Sequence, residues 1–140
     1  LVKLDGIAHL VRREEVLPEP AVLMSSFREI VGKNQMIASY AASGCMPYVE
    51  NADSITFCPL VYVRDTDSLI FETGCGSGSI AIALMRYAKQ GKKRTIVMQP
   101  SGEPYVVTVE SKNDQNMRIT LESSVRVIAT GVVSLSSSLL

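Results

Sequence analysis

The sequence predicts an α+β domain in which a curved, mostly antiparallel or mixed sheet wraps one central buried helix. Three observations carry that expectation. Ile80, Ala81, Ile82, Ala83, Leu84 and Met85 are consecutive and apolar inside a helical stretch over residues 77–90, so the helix's first turns have no wet side and other elements must enclose it. Nearly everything after Met98 is β-like, with turns too short for the crossover helices of a parallel sheet. Before the helix, further β-like runs follow one another across short polar turns.

Taken in order, "LVKLDGIAHLVRRE" reads as a strand with a bend near Gly6. "LPEPAVLMSSFREIVGKN" reads as a helix with its prolines at the start and Val22, Phe27, Ile30 and Val31 on one face. "ASGCMPYVE" and "SITFCPLVYVRD" are expected as two strands joined by the tight "NAD" turn, and "TDSLIFE" as a further strand. Beyond the buried helix, "RTIVMQP", "PYVVTVES", "MRITLES" and "VRVIATGVVSL" are four β-like runs, punctuated by "SGEP", "KNDQN" and "SS". This gives a single domain over residues 1–135 and a serine-rich tail over 136–140, expected to be poorly ordered.

The bulk properties exclude several functions. Lys plus Arg and Asp plus Glu are equal at 14 each, so nothing points to nucleic acid or an anionic membrane. No apolar run approaches the ~20 residues of a membrane span, and no secretory signal opens the chain. Three cysteines, Cys45, Cys58 and Cys75, lack a metal-type spacing, and His9 is the only histidine, so no metal site is expected. Free thiols suit a reducing cytosol, and a cytoplasmic protein is the expectation.

The stretch that carries chemistry is "FETGCGSGSIAIALMRYAKQGKK", residues 71–93. One reading is a glycine turn that cradles a nucleoside cofactor, as in methyl-donor-dependent methyltransferases. Against it, "RTIVMQP" ends in Gln99 and Pro100 where such a unit carries an acid for the ribose, and the following elements do not alternate strand with helix. The other reading makes Cys75 the functional atom. At the N-terminus of a buried helix its thiolate is favoured, and its pKa is expected to fall toward neutrality. Gly74, Gly76 and Gly78 uncover the sulfur, and the amides of Gly76 and Ser77 offer a carboxylate anchor. That pairing suits cofactor-free inversion at an amino-acid α-carbon, which needs a stabilised enolate-like anion and an acid/base group on each face. It requires a sulfur that faces a cleft.

On these residues the chain resembles the diaminopimelate epimerase-like superfamily. "PLVY", "SLIFE", "CGSGS", "QPSG" and "ATG" most closely resemble the pattern of the histidine racemases of opine metallophore biosynthesis, over residues 45–131. "GIAHLV" looks more weakly like the "GNPH" strand of the epimerases. The resemblance implies one half of a fold made of two similar halves, each a curved sheet around a central helix and each giving one cysteine. It implies no cofactor and an amino-acid substrate. It assigns Cys75 as a catalytic thiol, Gly76 and Ser77 as carboxylate amides, and Glu72 and Thr73 as substrate contacts. Thr73 stands where the epimerases carry Arg, Ile7 replaces an asparagine and Pro59 stands near another. These departures point away from diaminopimelate and toward another amino acid, with histidine the family-based expectation. The motifs were expected to place the chain as the C-terminal half. The second cysteine would then come from a missing N-terminal half or from a second copy of the chain. A domain that keeps the fold but only binds an amino acid is the further alternative.

Cys75 has an inert buried cysteine as its ordinary alternative, and Glu72 could merely favour the helix N-terminus by its charge. Cys45 and Cys58 lie in β-like runs without glycines and read as packing residues. His9, alone in an apolar run, reads as structural or as a rim residue.

Overall fold

A computed structural model describes residues 1–113 and 116–132. The first run is a hairpin: β1 (Val2–Leu4) and β2 (Ile7–Arg13) pair antiparallel about Gly6. Gly6 sits at φ +77°, so the expected bend is a full reversal that a side chain would resist. Helix α1 (Pro20–Lys33) starts on Pro20, as the proline rule anticipates. Its buried face is Leu23, Phe27 and Val31, whereas Val22 is 62% exposed. The expected face was therefore one residue out at its start: 23, 27 and 31 are successive i+4 positions, and position 22 falls beside that stripe. A one-turn helix, α2 (Gln35–Ala38), follows, with the Asn34 side chain accepting from the amides of Met36 and Ile37.

Strand β3 (Ala42–Glu50) is the axis of the domain, running parallel to β2. The next run, read as one strand, is two: β4 (Ile55–Phe57) and β5 (Leu60–Val63). The break falls at Cys58 and Pro59, since a proline has no N–H for a ladder. Both pieces share one edge of β3: β4 pairs with residues 48–50 and β5 with residues 42–45. The sheet forks there. One branch ends on β6 (Ser68–Phe71). The other runs from β4 to β7 (Arg94–Met98, parallel), then β8 (Pro104–Asn113) and β9 (Asn116–Glu122), both antiparallel.

The long path, β1-β2-β3-β4-β7-β8-β9, curls around helix α3 (Gly76–Gln90), which packs against β1, β2, β3, β7, β8 and β9. Ala81, Ile82 and Ala83 are within 1% of full burial, and Gly91 closes the helix at φ +68°. The α+β class, with a curled mixed sheet around one buried helix, is as expected. The α3 face of the sheet gathers Met46, Tyr48, Ile55, Phe57, Ile82 and Val97 into one core. The opposite face of β3 and β5 packs Cys45 and Leu60 under α1, against Leu23, Phe27 and Val31. Alternation along β3 divides the two cores.

The last expected strand is not formed within the described residues. Residues 123–132 carry no regular element, and Val125 and Val127 are 92% and 82% exposed. β-branched composition alone does not make a strand without a neighbour to pair with. The rest of that run and the expected tail over 136–140 lie outside the described residues. Among the described residues, no helix is long and apolar enough to cross a membrane.

Candidate active site

The glycine-rich turn lies at the mouth of α3. β6 delivers Glu72 and Thr73, whose backbone is held from two sides: the Glu72 amide donates to the Pro59 carbonyl at 3.0 Å, and the Ser101 amide donates to the Thr73 carbonyl at 2.9 Å. Thr73 and Gly74 are exposed, while Glu72, Gly76 and Ser77 are half-buried. Cys75 caps the helix in extended geometry, and its Sγ accepts from the Gly78 amide at 3.3 Å. Ser77 Oγ stands 3.7 Å from the same sulfur. The amides of Gly76 and Ser77, the first two of α3, have no acceptor among the described residues. So Glu72, Thr73, Cys75, Gly76 and Ser77 lie together at one loop.

Gly78 is dictated by space. A Cβ there would stand 2.6 Å from Met46 Sδ and 2.9 Å from Cys75 Sγ. At Gly74 a Cβ would approach Tyr105 Oη to 2.9 Å. The glycines therefore admit Met46 and Tyr105 as close neighbours of the loop as well as baring its amides.

The electrostatics correct one expectation. Cys75 is only 2% exposed, and its thiol is pushed up to about 12 instead of falling toward neutrality. Burial is the largest cause, followed by the Glu72 carboxylate as hydrogen-bonding neighbour and as negative charge. The Gly78 amide and Ser77 hydroxyl pull the other way and are outweighed. The helix mouth does act on the sulfur, but burial and the neighbouring acid outweigh it and raise the thiol. Nor does the sulfur face open solvent in this chain.

Residues missed in the sequence complete the loop. Gln99, 3% exposed at the end of β7, accepts from the Cys75 amide through Oε1 at 2.8 Å. Its Nε2 donates to Ser79 Oγ at 3.0 Å and to the Val97 carbonyl at 3.0 Å, and Ser79 Oγ donates to the Cys75 carbonyl at 2.7 Å. In the sequence Gln99 stands where a ribose-binding acid is absent and in the "QPSG" motif, neither of which gives it a role at Cys75. A polar side chain ending an otherwise apolar strand was the available signal. His9 is fully buried on the α3 side of β2, facing Gly44, and burial lowers it to about 4. It is structural. Cys45 lies under α1 and is raised to about 11, chiefly by burial, while Cys58 is half-buried. Among the described residues, no group of three or more His, Cys, Asp or Glu could hold a metal.

A mixed sheet curled about a buried helix, with a glycine-flanked cysteine at the helix mouth, defines an α+β domain whose candidate site lies at the start of its enclosed helix. More narrowly, the family model described as the histidine racemase CntK N-terminal domain matches residues 1–134, and the chain belongs to that family. Histidine racemases from Fusobacterium nucleatum (strain ATCC 23726) and Staphylococcus aureus (strain Mu50) are 26% and 24% identical, over 95% and 89% of this chain. The matches cover 47% and 44% of those proteins, so the chain spans about half the length of the curated relatives it matches. Among solved structures, a phenazine biosynthesis PhzF family protein from Enterococcus faecalis is similar, at TM-score 0.46 and 16% identity. It covers 74% of this chain and 34% of that one. The matched domain corrects the expected C-terminal placement. Where two halves share one architecture, a glycine-flanked cysteine at a helix start does not distinguish them.

Proposed function

We propose that this chain supplies one half of a cofactor-independent amino-acid racemase site, with histidine as substrate and Cys75 as one of two acid/base thiols. The observation that carries the reading is the arrangement at the mouth of α3: one sulfur beside two amides, Gly76 and Ser77, that have no acceptor among the described residues. The substrate carboxylate takes those amides. The other half of the protein, or a second copy of the chain, brings the second thiol to the opposite face of the α-carbon.

Burial raises the Cys75 thiol, which suits it to the donor role for one enantiomer; for the other the two thiols exchange roles. The facing thiolate removes the α-proton, and the C–H electron pair spreads onto the carboxylate as an enolate-like anion that the two amides stabilise. The electron pair then returns to carbon with the Cys75 proton, leaving Cys75 as a thiolate held by the Gly78 amide and Ser77 hydroxyl. Glu72 and Thr73 border the substrate's remaining groups, and the Glu72 carboxylate suits a cationic end better than a second acid. The free thiols suit a reducing, cytoplasmic setting.

The test is α-proton exchange of L- and D-histidine in deuterated water, followed by NMR, on the full-length protein carrying this chain. Exchange that is lost in Cys75→Ser supports the reading; exchange that survives in that variant removes it. The covered sulfur favours a second reading, a domain that binds an amino acid without turnover. Histidine binding by calorimetry with no exchange in the wild type would favour that one. Heat of binding with the methyl donor would revive the methyltransferase alternative, and silence is expected.

A further inference from the structure

The structure assigns Gln99 and Ser79 as positioning residues for Cys75: together they hold its peptide by both N–H and carbonyl, and so fix which amides of the turn remain open. The inference rests on the racemase reading for its consequence, but its geometry stands alone. Three bonds form a closed ring: Cys75 N–H to Gln99 Oε1, Gln99 Nε2–H to Ser79 Oγ, and Ser79 O–H to the Cys75 carbonyl. The second Nε2 proton reaches the Val97 carbonyl. Every donor meets an acceptor, so only one orientation of the Gln99 amide fits; flipped, its NH2 would face the Cys75 N–H.

Two consequences follow. With its own amide occupied, Cys75 leaves Gly76 and Ser77 as the unpaired amides of the first turn. With both sides of its peptide tied, its Sγ is directed to Gly78 N and Ser77 Oγ. The ring joins residues 20 to 24 apart in sequence, so strand β7 sets the attitude of a cysteine on α3. Glutamine suits the position because it offers one acceptor and two donors. Glutamate offers no donor and adds a charge near the sulfur. Methionine fills similar space with neither.

The experiment is the pH profile of Cys75 alkylation by iodoacetamide in the 140-residue chain, read by peptide mass mapping so that Cys45 and Cys58 are scored apart. Gln99→Glu should slow Cys75 at pH 8 by about tenfold, because the new negative charge disfavours the thiolate. Gln99→Met should quicken it by about tenfold as the untied loop uncovers the sulfur, and Ser79→Ala by about threefold. A merely structural role would quicken Cys45 and Cys58 along with Cys75 in Gln99→Met and Ser79→Ala. Wild-type profiles in folded variants, or same-direction changes at Gln99, overturn the assignment. Should Gln99→Met fail to fold, Ser79→Ala and Gln99→Glu decide by their opposite signs. Opposite shifts in the chain, with no α-proton exchange by the wild-type full-length protein, would leave the positioning intact and remove the racemase reading.

Discussion

Cys45 and Cys75 are almost equally buried, at 1% and 2% exposure, yet they sit in different chemistry. Cys45 lies on a flat strand under α1, between Leu23, Phe27 and Leu60. Cys75 lies inside the curl of the sheet at the helix mouth, with an amide, a hydroxyl and a carboxylate around its sulfur. Both thiols are raised, to about 11 and about 12, with burial the main cause in each. Burial therefore does not separate a packing cysteine from a candidate proton donor. Polar neighbours that can receive the charge do.

The contrast can be broken most sharply by substitution. In the full-length protein, Cys75→Ser should lower α-proton exchange by about 100- to 10,000-fold, while Cys45→Ala should leave it within about threefold and cost ~1 kcal/mol of stability. Equal losses would erase the distinction. The acid side of the comparison comes from Gly44, next to Cys45, which gives room to His9; a Cβ there would stand 2.3 Å from His9 Nδ1. Neither His9 nitrogen has a hydrogen-bond partner among the described residues. Its folded pKa is depressed to about 4 from 6.5, so it contributes stability that is present above pH 6.5 and lost as pH falls toward about 4. The loss should approach ~3 kcal/mol, measured by urea unfolding, and should vanish in His9→Leu.

Gly78→Ala tests the packing around Cys75. The added methyl meets Met46 Sδ and Cys75 Sγ inside contact distance, so thermal unfolding should show about 1–3 kcal/mol lost, and Met46→Ala should restore part of it. The smallest effect is electrostatic. Glu72→Gln removes the second-ranked cause raising Cys75, so its alkylation midpoint should move to lower pH while that of Cys45 stays put. A matching shift at Cys45 would mean the substitution had loosened the domain as a whole.

Much of this site was legible along the chain. Consecutive apolar residues from Ile80 to Met85 made α3 an interior helix, and the "GCGSG" turn placed Cys75 at its start. The strand order was less so. "SITFCPLVYVRD" reads as one strand because each half is β-prone, although Pro59 interrupts the ladder and the halves pair with different stretches of β3. "VRVIATGVV" is equally β-prone and forms no strand within the described residues. The Val22 face failed because a helical stripe read from composition tolerates a one-residue shift that packing does not.

By itself the sequence determined the two long helices and most of the strands, which helix is enclosed, and which sulfur begins it. Those properties depend on neighbours within a few residues: periodicity, glycine freedom and the helix's unpaired amides. Tertiary structure alone decided that Cys75 is a buried thiol of raised proton affinity and that Gln99 ties its peptide. Proton affinity and side-chain hydrogen bonding depend on what stands within a few ångströms, and here that includes Met46 on β3 and a glutamine 24 residues away just past β7.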